Sequence, residues 1–161
     1  MYQHQEKRTS PFTPSQLYDL VLDITHYPHF LPWCKALRIK EKSENKIIAE
    51  LLVGYKGFEQ AFTSIIEPDP QSYRIKITYI DGPFKYLYSN WEFEATNNQA
   101  QLSTIAFDIE FEFRTKILDK LLKTVFTHSI TRMVQAFEDR AEEIYGSSDA
   151  DKHDGGKASF G

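Results

Sequence analysis

The chain has 161 residues, of which 41% are hydrophobic and 14% aromatic, and its formal net charge is −4 at pH 7. A chain of this length suits one domain and is too short for two ordinary ones. The acidic balance excludes a general attraction to nucleic acid, so any such contact needs a local basic patch. Cys34 is the only cysteine, which excludes an internal disulfide and favours a reducing compartment.

Large apolar residues extend along the chain as far as Tyr145 and then almost stop. Residues 147–161, SSDADKHDGGKASFG, keep Phe160 as their one large apolar side chain, a composition typical of a flexible tail. We therefore expect one folded domain at residues 1–146 and a flexible tail at residues 147–161. The start lacks the apolar run of a signal peptide, and no stretch approaches the roughly 20 apolar residues of a membrane-spanning helix. We expect a protein that is soluble or touches membranes only from outside.

The stretch PFTPSQLYDLVLDI has the features of a helix start. Thr13 is placed to cap the helix, Pro14 suits its first position, and Gln16 completes a T-x-x-Q capping box. Apolar residues then recur at spacings of three and four, as one face of a helix requires: Leu17, Leu20, Val21 and Ile24. Pro28 and Pro32 prevent a regular continuation, so HYPHFLPWC, residues 26–34, is predicted to form at most one helical turn with an extended exit.

Six segments between residues 34 and 113 are predicted to be strands, because polar and apolar residues alternate in them and turn-forming residues separate them. They are CKALRIKEK, KIIAELLVGY, FEQAFTSIIEP, SYRIKITYI, KYLYSNWEFEA and QLSTIAFDIEFEF. QHQEKRT near the amino terminus is predicted to be a further strand. We therefore expect a mostly antiparallel sheet of about seven strands, with one solvated and one buried face.

The apolar period changes to 3.6 from Thr115 to Tyr145, and Gly146 follows as a stop signal. Ideal helix geometry makes this segment about 46 Å long, enough to cross a small domain. The predicted fold class is therefore α+β, with a curved antiparallel sheet of about seven strands wrapped around one long C-terminal helix.

The buried face of this sheet is rich in aromatic residues, and two interpretations of it are open. The first is an ordinary dry core, in which helical residues close the space completely. The second leaves part of the concave face as an apolar cavity, with the proline-stiffened HYPHFLPWC segment at its rim. The candidate ligand-binding residues of the second interpretation are Phe30, Leu31, Trp33, Phe62, Tyr79, Trp91, Phe93, Phe107, Phe111, Phe126 and Met133.

The motifs give little support to metal binding or catalysis. His26, His29 and Cys34 could supply metal ligands, but zinc sites usually have three or four, and His128 is the only other histidine inside the domain away from the amino terminus. Cys34 has no glycine-rich oxyanion loop near it. Phenols such as Tyr79 are the only general acids that the pattern places inside. We expect a protein without a metal, a cofactor or catalytic residues.

The charges of the long helix run against its dipole, with basic residues at its start and acidic residues at its end. Simple solvation explains such a pattern, because each exposed misplacement costs only about a few tenths of a kcal/mol. The alternative is a surface that faces anionic headgroups or ribosomal RNA. Its candidate residues are Lys35, Arg38, Lys116, Lys120 and Lys123.

Several strings together resemble the coenzyme Q-binding family. They are YPHFLPWC, the GPF of residues 82–84, the WEF of residues 91–93, the FEFR of residues 111–114 and MVQAFEDRAEEIYG, residues 133–146. This family shares a START-like domain with polyketide cyclases and with the bacterial ribosome-associated toxin A proteins. The resemblance covers nearly the whole domain and implies a helix-grip fold with a hydrophobic pocket for a polyprenyl quinone.

The resemblance further implies a chaperone for ubiquinone that supports respiratory electron transport without transforming its ligand. Ubiquinone would be a bound ligand rather than a cofactor, a transient membrane surface would be a second partner, and the family has no catalytic motif to carry over. The loop with Trp33 and Cys34 is more similar to the mitochondrial and alphaproteobacterial quinone-binding members than to the toxin members. Because the domain starts without a mitochondrial presequence, we expect a bacterial cytoplasmic protein, peripheral to the inner membrane.

Two other functions stay open. A ribosome-directed regulator that blocks subunit association, as the toxin relatives are described, would have a ribosomal subunit as its partner and would use the basic residues rather than a cavity. An aromatase- or cyclase-like enzyme on the same fold would need an internal acid, for which Tyr79 is the candidate.

Overall fold

The computed structural model describes residues 1–146, and the predicted flexible tail at residues 147–161 lies outside the described residues. The strands are β1 Tyr2–Ser10, β2 Cys34–Lys42, β3 Ile47–Tyr55, β4 Phe58–Asp69, β5 Arg74–Asp81, β6 Phe84–Ala95 and β7 Ser103–Phe113. The α-helices are α1 Pro14–Leu22, α2 Tyr27–Phe30, α3 Lys116–Thr131 and α4 Met133–Ala141. A 3₁₀ turn at Ile24–His26 precedes α2, and a π-helical turn at Glu142–Gly146 follows α4.

The strands form one sheet in the order β1-β7-β6-β5-β4-β3-β2, and every neighbouring pair is antiparallel. The predicted seven-stranded antiparallel sheet is confirmed. β2 to β7 follow one another as a meander, whereas β1 adds to the free edge of β7. The tightest connection joins β3 to β4 through Lys56 and Gly57, whose φ angles of 51° and 88° suit the two-residue turns that match the twist of a hairpin.

The start of α1 also confirms its prediction. The Thr13 side chain accepts a hydrogen bond from the amide of Gln16 at 3.1 Å, and the Gln16 side chain accepts one from the amide of Thr13 at 2.9 Å. This capping box satisfies two amides at the helix start that have no intrahelical partner.

The predicted long helix is present but interrupted at Arg132, which separates α3 from α4 with φ −108° and ψ 0°. The Ser129 hydroxyl donates to the carbonyl of Val125, and the Arg132 guanidinium and the Thr131 hydroxyl donate to the carbonyl of His128. The amide of Arg132 bonds to Ser129, three residues back rather than four. Side chains that take over backbone carbonyls bend helices, and this local competition could not be found from periodicity alone.

The helices cover the inner face of the sheet, and the core lies between them. β7 shows the required alternation throughout, since every second residue is buried from Ser103 to Phe113. Phe126 on α3 reaches Phe84, Phe111 and Phe113 on this face. The alternation thus turns the aromatic residues of β6 and β7 toward the helix and leaves the carboxylates of β7 on the other side.

Candidate functional site

A cavity of about 130 Å³ lies between the inner face of the sheet and the helices α3 and α4. Its wall is almost entirely apolar and receives side chains from six of the seven strands. The residues that line it are Val21, Ile24, Tyr27, Leu31, Trp33, Cys34, Leu37, Leu51, Val53, Phe62, Ser64, Ile66, Ile75, Ile77, Leu87, Ser89, Trp91, Phe107, Ile109, Phe126, Ser129, Ile130, Met133 and Phe137.

The cavity exists because small side chains meet where the sheet faces the helix. Ser64 on β4 and Ser89 on β6 occupy inner-face positions that bulky residues take elsewhere, and Ser129 lines the cavity from α3. Ala49 on β3 lies directly opposite Ser64 and is fully buried, so two small residues are paired at this level of the sheet. Close packing needs side-chain volume to fill such a space, and these positions do not supply it.

Aromatic clusters close the two ends. At one end the ring of Phe126 lies 4.9 Å from that of Phe84. At the other end Trp91 lies 4.4 Å from Phe107 and 5.3 Å from Phe137, measured between ring centroids. The two clusters are seven residues apart along β6, so the cavity is the gap between two well-filled regions of one core.

The HYPHFLPWC segment forms part of the wall. Tyr27–Phe30 makes one helical turn, Leu31 leaves it in an extended conformation, and β2 begins at Cys34, as predicted. Leu31, Trp33 and Cys34 are buried and line the cavity. Pro28 lies in the first turn of α2, and Pro32 follows its end. The amide of Cys34 donates to the carbonyl of Leu31 at 2.9 Å, so a tight turn leads from Leu31 into β2.

Partly exposed side chains mark where the cavity approaches the surface. They include Leu37, Leu51, Phe62 and Met133, whereas the lining residues of β6 and β7 are buried. The opening therefore lies on the β2–β4 side, next to the break between α3 and α4.

Seven of the eleven residues predicted to bind a ligand line the cavity. These are Leu31, Trp33, Phe62, Trp91, Phe107, Phe126 and Met133. The alternation and helical periodicity that selected them also turn them toward the space between sheet and helix.

The structure does not bring the other four predicted residues to the cavity. Phe30 lies behind Phe137, with ring centroids 5.2 Å apart, and under the guanidinium of Arg140. The Tyr79 hydroxyl accepts a hydrogen bond from the amide of Phe84 at 3.0 Å, which holds the side chain at the β5–β6 turn. The candidate internal acid is therefore outside the wall.

The remaining two belong to the aromatic clusters instead. Phe93 stacks against Trp91 with ring planes 18° apart, and Phe111 contacts Phe84 edge to face. They support residues that do line the cavity. Alternation predicts which face of the sheet a side chain is on. It does not predict whether the side chain lies beside the cavity or in one of the aromatic clusters at its ends.

Sequence reasoning missed the small residues that create the space. Ser64 stands between Phe62 and Ile66, and Ser89 between Leu87 and Trp91, at every second position of their strands. A small polar residue in the middle of an apolar inner face is a signal that could have indicated both. It would not have shown that the two serines border the same cavity.

Two titratable side chains are in the wall. Burial raises the pKa of Tyr27, whose hydroxyl donates to the carbonyl of Val21. Burial also raises the pKa of the Cys34 thiol to about 11, and its sulfur lies 3.8 Å from the carbonyl of Ala36. Both groups keep their protons at neutral pH, so neither is poised as a nucleophile or a base.

The two candidate metal-ligating histidines of this segment are on the outside, whereas Cys34, the third candidate ligand, is buried in the cavity wall. His26 Nδ1 lies 2.8 Å from a carboxylate oxygen of Asp23, both side chains are about half exposed, and the ring of His29 lies against that of His26. Within residues 1–146, no group of three or more His, Cys, Asp and Glu side chains is placed to hold a metal ion.

The amino-terminal half of α3 carries exposed aliphatic and basic residues side by side. Ile117 is 72% and Leu121 48% exposed, and Lys116 and Lys120 are exposed next to them. We call these four residues the α3 surface. None of the helices in the part of the chain that the structure describes is both long and apolar enough to span a membrane.

The other predicted basic residues lie beside or away from this surface. Lys123 lines a groove together with Asp119 and with Lys116 of the α3 surface. Arg38 on β2 forms an ion pair with Glu50 at 2.9 Å, and Lys35 lies beside β3 at the sheet edge. The predicted basic patch is thus distributed over two separate elements.

Comparisons with known proteins agree with this architecture. The polyketide cyclase / dehydrase and lipid transport family matches residues 10–138. The ribosome association toxin RatA of Rickettsia prowazekii is 38% identical over 147 residues, which cover 89% of this chain and 99% of that protein. The mitochondrial coenzyme Q-binding protein COQ10 homolog B of Xenopus laevis is 29% identical over 146 residues, which cover 89% of this chain and 59% of that protein.

Solved structures show the same fold. The Zhui aromatase/cyclase from Streptomyces sp. R1128 matches with a TM-score of 0.76 at 16% identity, over 88% of this chain and 93% of that one. A START superfamily protein from Mycobacterium smegmatis matches with a TM-score of 0.72 at 15% identity, over 89% and 99%. The predicted helix-grip fold and the predicted kinship with coenzyme Q-binding and toxin A proteins are both confirmed. The chain belongs to the polyketide cyclase / dehydrase and lipid transport family.

Proposed function

We propose that the protein binds the ring of a prenylated quinone such as ubiquinone in its cavity and carries it without transforming it. The observation that carries this proposal is the almost wholly apolar cavity between two aromatic clusters, walled by Trp33 and Trp91. Removing apolar surface from water contributes roughly 25 cal/mol per Å². The name of the COQ10 relative provides independent support for a quinone as the ligand.

The size of the cavity limits which part of the ligand enters. A cavity of about 150 Å³ in another protein accommodates benzene, so the 130 Å³ present here suits about one six-membered ring. A long isoprenoid tail exceeds that volume and has to leave through the opening near Phe62 and Met133. The ligand is therefore held by its ring, and its tail follows the partly exposed side of the cavity.

Release of such a ligand requires a lipid surface close to the protein. The α3 surface offers Ile117 and Leu121 for insertion and Lys116 and Lys120 for anionic headgroups, each lysine contributing about 1 kcal/mol near such a membrane. Aliphatic and basic residues together on one helix face are typical of helices that lie at a membrane interface. The protein would dock there briefly, at the cytoplasmic side of a bacterial inner membrane.

The wall gives no support to a chemical step on the ligand. Its two titratable groups, Tyr27 and Cys34, both have raised pKa values, and general acid–base catalysis works best with a pKa near the working pH. The same fold occurs in an aromatase/cyclase. Enzymatic conversion of the bound ligand is therefore the alternative that an activity assay must test.

Mass spectrometry of organic extracts tests the proposal. Protein purified without detergent is extracted as wild type, as Ser129→Leu, which places a bulky side chain in the cavity, and as Ser129→Ala, which leaves it open. We expect ubiquinone in the wild-type and Ser129→Ala extracts and little in the Ser129→Leu extract. Equal amounts in all three extracts would show that quinone binds elsewhere. If the wild-type extract contains no ubiquinone and added soluble quinone does not bind the purified wild type, the proposal is wrong.

A second candidate function is association with a ribosomal subunit, which the name of the Rickettsia relative favours. It would use the lysines of α3 rather than the cavity. Sucrose-gradient fractionation of lysates should then place the wild type in subunit fractions and release a variant with Lys116, Lys120 and Lys123 changed to Glu. Ser129→Leu serves as the control, because it changes the cavity and leaves the lysines intact. Wild-type protein found only at the top of the gradient would exclude this function.

A further inference from the structure

Most polar groups in the cavity wall already donate a hydrogen bond to a backbone carbonyl of the protein. The hydroxyls of Ser89 and Ser129 donate to backbone carbonyls at 3.0 and 2.8 Å. The Tyr27 hydroxyl and the Cys34 thiol also donate to backbone carbonyls. Each of these groups has at least one hydrogen-bond partner inside the protein, so none requires a ligand to satisfy it.

Ser64 is different. Its side chain is only 2% exposed and lines the cavity, and its hydroxyl has no hydrogen-bond partner within residues 1–146. Its neighbours across the sheet explain this. Ala49 on β3 has no polar side-chain atom to offer, and Tyr79 on β5 holds its hydroxyl at the amide of Phe84.

Among the described residues, Ser64 is therefore the hydroxyl of the wall that is still free to donate. An oxygen that already takes part in one hydrogen bond is satisfied, whereas a hydroxyl without a partner gains a hydrogen bond when a ligand brings an acceptor. The wall therefore complements a ligand with an oxygen acceptor.

We propose that Ser64 donates a hydrogen bond to a carbonyl oxygen of the bound ring and so selects quinones over hydrocarbons of the same shape. This inference rests on the proposed function and adds to it the residue and the chemical group by which the ligand is recognised. A quinone has two carbonyl acceptors, whereas a hydrocarbon ring of the same shape has none.

Two ring compounds of nearly equal shape test the selectivity. They are tetramethyl-1,4-benzoquinone and 1,2,4,5-tetramethylbenzene, titrated by calorimetry into the full chain. We expect wild type to bind the quinone about two- to tenfold more tightly than the hydrocarbon, the range that one neutral hydrogen bond supplies. Ser64→Ala should lose this preference and keep its affinity for the hydrocarbon.

Ser89→Ala is the matched control, because it removes a wall hydroxyl that is already bonded. It should keep the preference for quinone and should unfold more easily than wild type. Ser64→Ala without ligand should be as stable as wild type or more so, since no protein hydrogen bond is lost. The carbonyl stretch of ¹³C-labelled quinone, measured by infrared difference spectroscopy, should shift on binding to wild type and shift less with Ser64→Ala.

The outcomes separate the two proposals. If wild type binds neither compound, the proposed function fails and the role of Ser64 fails with it. If both bind equally well, or if Ser64→Ala keeps the preference for quinone, the cavity still binds ligands but the role of Ser64 is wrong.

Discussion

Phe126 on α3 meets Phe84 on β6 edge to face, with ring centroids 4.9 Å apart and ring planes at 77°. The rings of Phe62, Phe111 and Phe113 also contact Phe126. This convergence joins the helix to three strands and closes one end of the cavity. The same side chain therefore contributes to the stability of the fold and to the length of the space that a ligand can occupy.

Removal of this ring should weaken the fold and lengthen the cavity. We expect Phe126→Ala to lower the free energy of unfolding by about 3–5 kcal/mol, the usual effect of deleting a buried aromatic ring, as measured by urea denaturation. Phe58→Ala is the control, because Phe58 is 50% exposed and surface changes usually stay within about 0.5 kcal/mol. A loss below about 1 kcal/mol for Phe126→Ala would mean that the ring is not part of a close-packed core.

Intrinsic fluorescence should report occupancy of the cavity. The chain has two tryptophans, and both Trp33 and Trp91 line the cavity, so a bound quinone ring should quench most of the emission. Trp33→Phe and Trp91→Phe each retain one emitter and should be quenched at the same quinone concentration. Ser129→Leu should show only the weak collisional quenching of an unoccupied protein. Quenching of the same extent and midpoint in Ser129→Leu would argue against binding in the cavity.

Membrane docking should depend on the aliphatic residues of the α3 surface. Wild type should co-sediment with vesicles that contain anionic lipid, and less so as salt is raised, because the lysines are screened. The double change Ile117→Ser and Leu121→Ser should weaken this binding about tenfold or more, through the loss of two inserted side chains. Tyr88→Ser removes an exposed aromatic residue from the outer face of β6 and should bind normally. Equal losses in both variants would rule out a specific role for the α3 surface.

The Cys34 thiol should make stability fall at alkaline pH. Burial raises the pKa of Cys34 from 9.0 to about 11, so between these values the unfolded chain has released a proton that the folded chain keeps. Stability therefore decreases as pH rises from about 9 to about 11, and below pH 9 both states hold the proton and the group contributes no slope. Urea denaturation of Cys34→Ala should show a shallower decline over this window. Parallel curves for the two proteins would mean that the thiol is not desolvated in the folded state.

Local signals in the sequence predicted most of the fold. The predicted CKALRIKEK strand coincides with β2, and the other strand boundaries agree to within about two residues, because a half-buried strand has to alternate along its length. The start of α1 was predictable from another local signal, since Thr13 and Gln16 cap the helix through hydrogen bonds between residues three apart. The break at Arg132 was not, because it depends on which carbonyls the Ser129 and Thr131 side chains take.

The sequence by itself determined the fold class, the buried face of each strand and the aromatic character of the core. Only the tertiary structure decided where the core stays open, since that depends on which side chains face one another across the sheet. Ser64 lies opposite Ala49 and borders the same cavity as Ser89 and Ser129, although these residues are far apart in the chain. Periodicity assigns a side chain to a face, but the volume left beside it depends on neighbours that come from other elements.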